Sequence, residues 1–370
     1  MPRRVRRSSR PRVHPADPPV ARLGSPNEIV AAVPLLCGFV PTESLVVLSL
    51  RGPRKRIGLT MRFDLDWCDA TGHAAQEIAD RLVHDGAAAG VLVLYSGAPD
   101  DLVDGAGPVA TRARAGLVDQ VRTSCLEAGV DVMEALLVRA ETWISYLCTG
   151  RSCCPDDGTP VRVESSAAVQ LLRADAALRG RGVLPSREDL VHSVAAPQLL
   201  AAAVAHQHLD RAAEDWALRH RREGRRAVQD HDLEVAWAAL DRALTPQGVG
   251  PVEAAVLAVA VADLQVRDEI ATWVLTRPDE LIAALQQAVR QVAPPDDAGL
   301  CALLGWVAYA GGDGGLANVA LARALESEPG HPLATLLCDA LHRQLDPSEL
   351  RRVLEQTRRD GGHGCRDEVS

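Results

Sequence analysis

In the first third of the chain the apolar positions alternate or run in short blocks. Ser44-Leu-Val-Val-Leu-Ser-Leu50 is a nearly continuous apolar run and predicts a buried strand. Arg56 to Asp64 alternates, with Ile57, Leu59, Met61 and Phe63 on one face, and the short turn between the two makes them a hairpin. If that turn centres on Pro53-Arg54, Ser44 faces Phe63 and Glu43 lies near Asp64. Before the hairpin, Pro26-Asn27-Glu28-Ile29 starts a short helix expected to stop near Pro34. After it, the spacing predicts a helix over 73–85, a strand over 90–95, a loop over 96–108, a helix over 110–128, and strands over 135–139 and 142–146. The order β-β-α-β-α-β-β describes an α/β domain with a mixed sheet.

Beyond Cys148 the texture changes. From Ser165 the apolar residues recur every three to four positions, in the segments 198–222, 226–244, 252–275, 278–292, 298–310, 315–327 and 332–344. Repeated helices of this length predict an all-α array of helical hairpins. Leu304-Gly305, Gly312, Ala317, Leu321, Ala324 and Pro329 fall at tetratricopeptide-like spacing, in which small residues let two helices approach closely. A plain helical hairpin with alanine contacts accounts for the same window. The expected division is a disordered Arg/Pro-rich tail over 1–24, an α/β domain with a Cys-rich loop over 25–160, a helical domain over 161–357 and a disordered tail over 358–370.

Composition narrows the chemistry. Lys55 is the sole lysine of 370 residues, so arginine supplies 39 of the 40 basic side chains. Lys55 sits in an Arg-Gly-Pro-Arg-Lys-Arg turn, which leaves no lysine for a phosphate-binding loop or a Schiff base. The first 12 residues carry six arginines and no acid; without them 34 basic residues face 49 acidic ones. A body so acidic disfavours nucleic acid as a partner, and the arginine tail alone offers weak anion contacts. No apolar run reaches the roughly 18 residues of a membrane span. Nine scattered cysteines and no secretory leader fit a reducing, cytoplasmic setting.

Three motifs in order, Ala32-Val-Pro-Leu-Leu-Cys-Gly-Phe-Val-Pro-Thr-Glu-Ser-Leu-Val-Val-Leu48, Thr60-Met-Arg-Phe-Asp-Leu65 and Cys148-Thr-Gly-Arg-Ser-Cys-Cys-Pro-Asp-Asp-Gly-Thr-Pro160, resemble an actinobacterial family catalogued as domain of unknown function 4192. Leu184-Pro-Ser-Arg-Glu188 also resembles its pattern, and the likeness spans about residues 26–350. The resemblance implies an extent for the ordered chain and brings no activity, cofactor or site residue with it.

Candidate chemistry gathers at three places. Glu43, Ser44, Arg62 and Asp64 are expected at one end of the sheet, where two carboxylates, a hydroxyl and a guanidinium bind a polar ligand or do acid–base work, or else form a salt bridge and turn cap. Cys148, Cys153 and Cys154 lie within seven residues; they hold zinc if a fourth ligand such as Cys68 or His73 joins them, act as redox thiols, or pack a structural loop. His206, Asp210 and Glu214 share one helix face at metal-ligand spacing, which a solvated charged face explains equally. Gly105-x-Gly107-x-x-Ala110 is a poor dinucleotide fingerprint, because it sits far past the strand and contains Pro108.

The expected function is a ligand- or protein-binding adaptor whose helical region takes another protein. The alternative is an enzyme with its site between the Glu43/Ser44/Arg62/Asp64 cluster and the Cys148–Cys154 loop.

Overall fold

The computed structural model describes residues 21–100, 112–150, 152–162 and 166–363, excepting the side chains of 360–363. The arginine tail and the Gly105/Gly107 motif lie outside the described residues. The first half contains α1 (Pro26–Cys37), β1 (Ser44–Arg51), β2 (Arg56–Asp64), α2 (Leu65–Ala70), α3 (Ala74–His84), β3 (Ala87–Tyr95), α4 (Ala115–Glu127), β4 (Asp131–Arg139), β5 (Thr142–Ser145) and β6 (Thr159–Pro160). The strands form one mixed sheet in the order β2-β1-β3-β4-β5-β6, parallel only between β3 and β4, which α4 connects.

Helices cover both faces of this sheet, which is why β1 reads as an unbroken apolar run. On one face Leu45, Val47, Met61, Phe63, Leu92 and Leu94 pack with Ile78, Leu82, Val118 and Val121 of α3 and α4. On the other, Val46, Leu48, Val91, Val93, Leu136 and Val138 pack with Val30 and Val33 of α1 and with Cys154. Ser25 caps α1 by accepting from the Glu28 amide, and the helix runs through Pro34 to Cys37, one turn beyond the expected stop. Pro34 lacks only its own N–H; its carbonyl accepts from Gly38, whose φ of 79° closes the helix in the left-handed conformation.

The hairpin register departs from expectation by one residue where it matters. At the turn Leu50 pairs with Ile57, as a Pro53-Arg54 centre requires, but a bulge between Leu48 and Leu50 shifts the rest, so Ser44 faces Asp64 and Leu45 faces Phe63. The bulge lies beside Asp85, which accepts from the Arg51 guanidinium, the Ser49 hydroxyl and the Leu59 amide. Gly58 leaves the room for this group: a Cβ there would stand 2.6 Å from Arg51 Nε and Asp85 Oδ2.

The second half contains α5 (Ala167–Leu178), α6 (Arg187–His192), α7 (Leu199–Glu223), α8 (Arg225–Arg242), α9 (Pro251–Ala260), α10 (Leu264–Thr272) with a 3-10 turn (Trp273–Leu275), α11 (Pro278–Val289), α12 (Ala298–Ala310), α13 (Gly314–Ser327), α14 (Pro332–His342) and α15 (Pro347–His363). The expected helix over 252–275 is two, because Asp263 ends one turn and caps the next through the Gln265 amide. α15 carries helical backbone past the expected boundary at 357. Every residue of α12 except Gly299 is buried, so this helix, apolar all round, is the axis of the helical core. Gly305 makes its closest neighbour possible: a Cβ there would lie 2.5 Å from Leu321 Cγ of α13.

The two halves are joined by backbone and charge. Phe39 bridges Leu184, with Val40 N donating to Leu184 O at 3.0 Å and Leu184 N to Gly38 O at 2.9 Å. Phe39 belongs to the helical core, and Arg51 reaches Asp346 at 3.0 Å. No described helix is long and apolar enough to cross a membrane.

Candidate functional site

The expected four-residue cluster divides in two. Arg62 Nε donates to Ser44 Oγ at 2.9 Å, Arg62 Nη2 meets Asp64 Oδ1 at 2.5 Å, and Ser44 Oγ donates to Thr42 O at 2.6 Å. The Arg62 guanidinium stands 6.0 Å over the Phe39 ring, the residue that enters the helical core. The Glu43 backbone lies beside Asp64, its carbonyl accepting from the Leu65 amide at 3.1 Å, but its side chain turns away. Its backbone has φ 39°, and its carboxylate accepts from the Gly97 amide at 2.6 Å and the Ser96 hydroxyl at 3.2 Å, at the end of β3. The thiol loop is not its neighbour: β3 and β4 separate β1 from β5, which puts three strand spacings, about 14 Å, between β1 and β5.

These groups are spent on one another. Ser44 is wholly buried, and its hydroxyl both donates and accepts. Beside it, burial pushes the Cys37 thiol up to about 12, with Arg62 pulling slightly the other way. Tyr95, opposite Ser44 on β3, keeps a buried hydroxyl without a hydrogen-bond partner among the described residues. Burial pushes the pKa of both Cys37 and Tyr95 upward, and sequence spacing gave no sign that they sit together.

Cys148, Cys153 and Cys154 do converge, with their sulfurs all within 4.8 Å of one another. Cys148 Sγ and Cys153 Sγ are 2.9 Å apart. The turn that gathers them hangs on Gly150, whose carbonyl accepts from the amides of Cys153 at 3.2 Å and Cys154 at 2.9 Å. A Cβ at Gly150 would crowd Cys153 Sγ at 3.0 Å and touch Cys148 Sγ at 3.8 Å. Hydrogen bonding from Cys153, then from the Gly150 backbone, holds the Cys148 thiol below its ordinary value, and Arg112 adds to this from a distance. Burial pushes Cys154 up to about 11. The suggested fourth ligands, Cys68 and His73, are not in the group: Cys68 is buried under the opposite sheet face and His73 lies 3.8 Å from Glu77.

His206, Asp210 and Glu214 form no metal-ligating group among the described residues; His206 instead lies 3.9 Å from Asp296. A cleft of about 610 Å³ opens between α2, α3 and α4, lined by Asp69, Arg114 and Gln120, with Asp69 and Arg114 ion-paired across it.

A second groove, about 700 Å³, lies between α8 and α10. Trp237, at 43% exposure, meets Trp273 edge-on with ring centroids 5.0 Å apart. Asp230, Glu234, Asp241 and Glu269 line the groove. Arg277 stacks on Trp237 at 5.4 Å and pairs with Asp241 at 2.5 Å, whereas Asp230, Glu234 and Glu269 form no ion pair among the described residues. This groove escaped the sequence because Leu233 and Trp237 carry the same spacing as core residues; 36 residues separate the two tryptophans, and only helix packing unites them.

A mixed sheet clasped to an irregular helical array defines the class of protein. The chain belongs to the family described as Domain of unknown function (DUF4192), whose model matches residues 26–348. No curated protein and no solved structure matches it.

Proposed function

We propose that the protein is a binding adaptor whose helical half takes an arginine-rich segment of another protein in the Trp237–Trp273 groove. The observation that carries this reading is the set of carboxylates, Asp230, Glu234 and Glu269, that form no ion pair among the described residues and surround an exposed tryptophan. Asp230 and Glu234 are also i,i+4 like charges on α8, an arrangement that disfavours the free helix and that a cation relieves. Arg277 supports the mode of recognition, since a guanidinium already stacks on Trp237 while pairing with a carboxylate. The Gly305–Leu321 approach supports a tetratricopeptide-like character for α12 and α13, a scaffold suited to presenting such grooves. An enzyme centred on Glu43, Ser44, Arg62 and Asp64 is less well supported, because each of those groups is committed to a neighbour.

The test is calorimetric titration of the full chain with a synthetic arginine-rich peptide. Trp237→Ala and Glu234→Gln should each weaken binding by about tenfold or more, with affinity falling as salt rises. Binding that is absent, or unchanged in both variants, overturns the reading. Glu234 is exposed, so its substitution leaves the fold intact.

A further inference from the structure

The helical groove leaves the thiol loop without a role, and the loop is built for one. Most other described cysteines are single packing residues. Cys68 and Cys125 are buried under one sheet face, and Cys301 is buried in the first turn of α12. In contrast, Cys148, Cys153 and Cys154 turn three sulfurs toward one point on a loop where Cys153 remains exposed. A core needs no such convergence, since thiols gain nothing from one another that a methyl group would not supply.

We propose that Cys148, Cys153 and Cys154 form a binding site for one thiophilic divalent metal ion, zinc in the cell. Three observations support it. Sulfurs at about 2.3 Å from a tetrahedral zinc stand about 3.8 Å apart, so binding asks that the Cys148–Cys153 contact of 2.9 Å open by under about 1 Å and that the other pairs, each within 4.8 Å, settle near the same spacing. The Gly150 carbonyl, holding the Cys153 and Cys154 amides, prearranges the turn, and the missing side chain at Gly150 leaves the sulfurs their space. Cys154 packs in the same apolar cluster as Trp143 and Val138, which anchors one ligand on the rigid sheet and screens that side from water. No fourth side chain joins among the described residues, so the remaining coordination position is open to water or to an external donor.

The experiment is elemental analysis of the full chain purified in reductant without chelator. One equivalent of zinc per chain is expected, lost in Cys153→Ser and retained in Cys338→Ser. Because Cys153 is exposed, its substitution tests the site without emptying a core position. Cobalt(II) added to the metal-free wild-type chain should give a thiolate-to-metal absorption band that saturates at one equivalent and is lost in Cys153→Ser. Chelator should lower the melting temperature of the wild type and leave that variant unmoved. Zinc that persists in Cys153→Ser, or a wild-type chain that takes up neither zinc nor cobalt, overturns the proposal. So does a chain lighter by two hydrogen atoms, with Cys148 and Cys153 blocked to alkylation, whose reduction restores the thiols without restoring metal uptake.

Discussion

The end of the sheet and the α8–α10 groove hold similar kinds of residue and reach opposite outcomes. At the sheet end, Arg62 takes Ser44 and Asp64, and Glu43 takes Ser96 and Gly97. In the groove, Arg277 takes Asp241 and the neighbouring Glu280, while Asp230, Glu234 and Glu269 line it beside a tryptophan with no ion pair among the described residues. A polar cluster whose members are satisfied by the chain holds structure together; one with charge left over is a place where something else fits. Arg323 is the extreme of the first kind. It is buried on α13 against the Asp297 carboxylate, with Nη2 2.6 Å from Oδ2, and also donates to the carbonyls of Val194 and Val292.

The largest effect expected follows from that pair. Arg323→Ala leaves the wholly buried Asp297 carboxylate without its counter-ion and should cost about 3–5 kcal/mol in urea unfolding. A loss below about 1 kcal/mol would show that satisfied clusters here are not structural. Next comes Gly305→Ala, which overpacks α12 against Leu321 and should cost about 1–3 kcal/mol. Adding Leu321→Ala should give less than the sum of the two single losses, because the first methyl fills part of the space the second change opens.

Glu43→Gln combined with Asp64→Asn should cost about 1–2 kcal/mol and leave peptide affinity and zinc content unchanged. An unchanged melting temperature with lost peptide binding would reverse the comparison and make the sheet end the working site.

The smallest effect is one of pH. Burial opposes ionisation of Asp85, but hydrogen bonds from Arg51, Ser49 and the Leu59 amide outweigh it and hold its pKa below the ordinary value. A depressed folded-state pKa contributes stability that is present above the unfolded value and lost as pH falls through the folded one. Denaturation profiles should therefore lose stability below about pH 4, and Asp85→Asn should flatten that fall. Equal slopes in the two proteins would remove Asp85 from the account.

Much of this molecule is set by local chemistry that the sequence states directly. Strand alternation in Arg56–Asp64, the apolar run of β1 and the serine caps of α1 and α5 act over a few residues, so their positions are legible without a fold. The Cys148–Cys154 triad is likewise legible, because a short loop confines its sulfurs whatever surrounds it. Tertiary structure decided the rest. The bulge that shifts Ser44 from Phe63 to Asp64 accompanies the placement of Asp85 beside Arg51, an interaction 34 residues long in sequence. Glu43 chose Ser96 and Gly97 because β3 ends beside it in the sheet order, which no local rule contains. Trp237 and Trp273 form a groove only once α8 and α10 pack, since helical spacing says which residues share a face but not which face finds a neighbour.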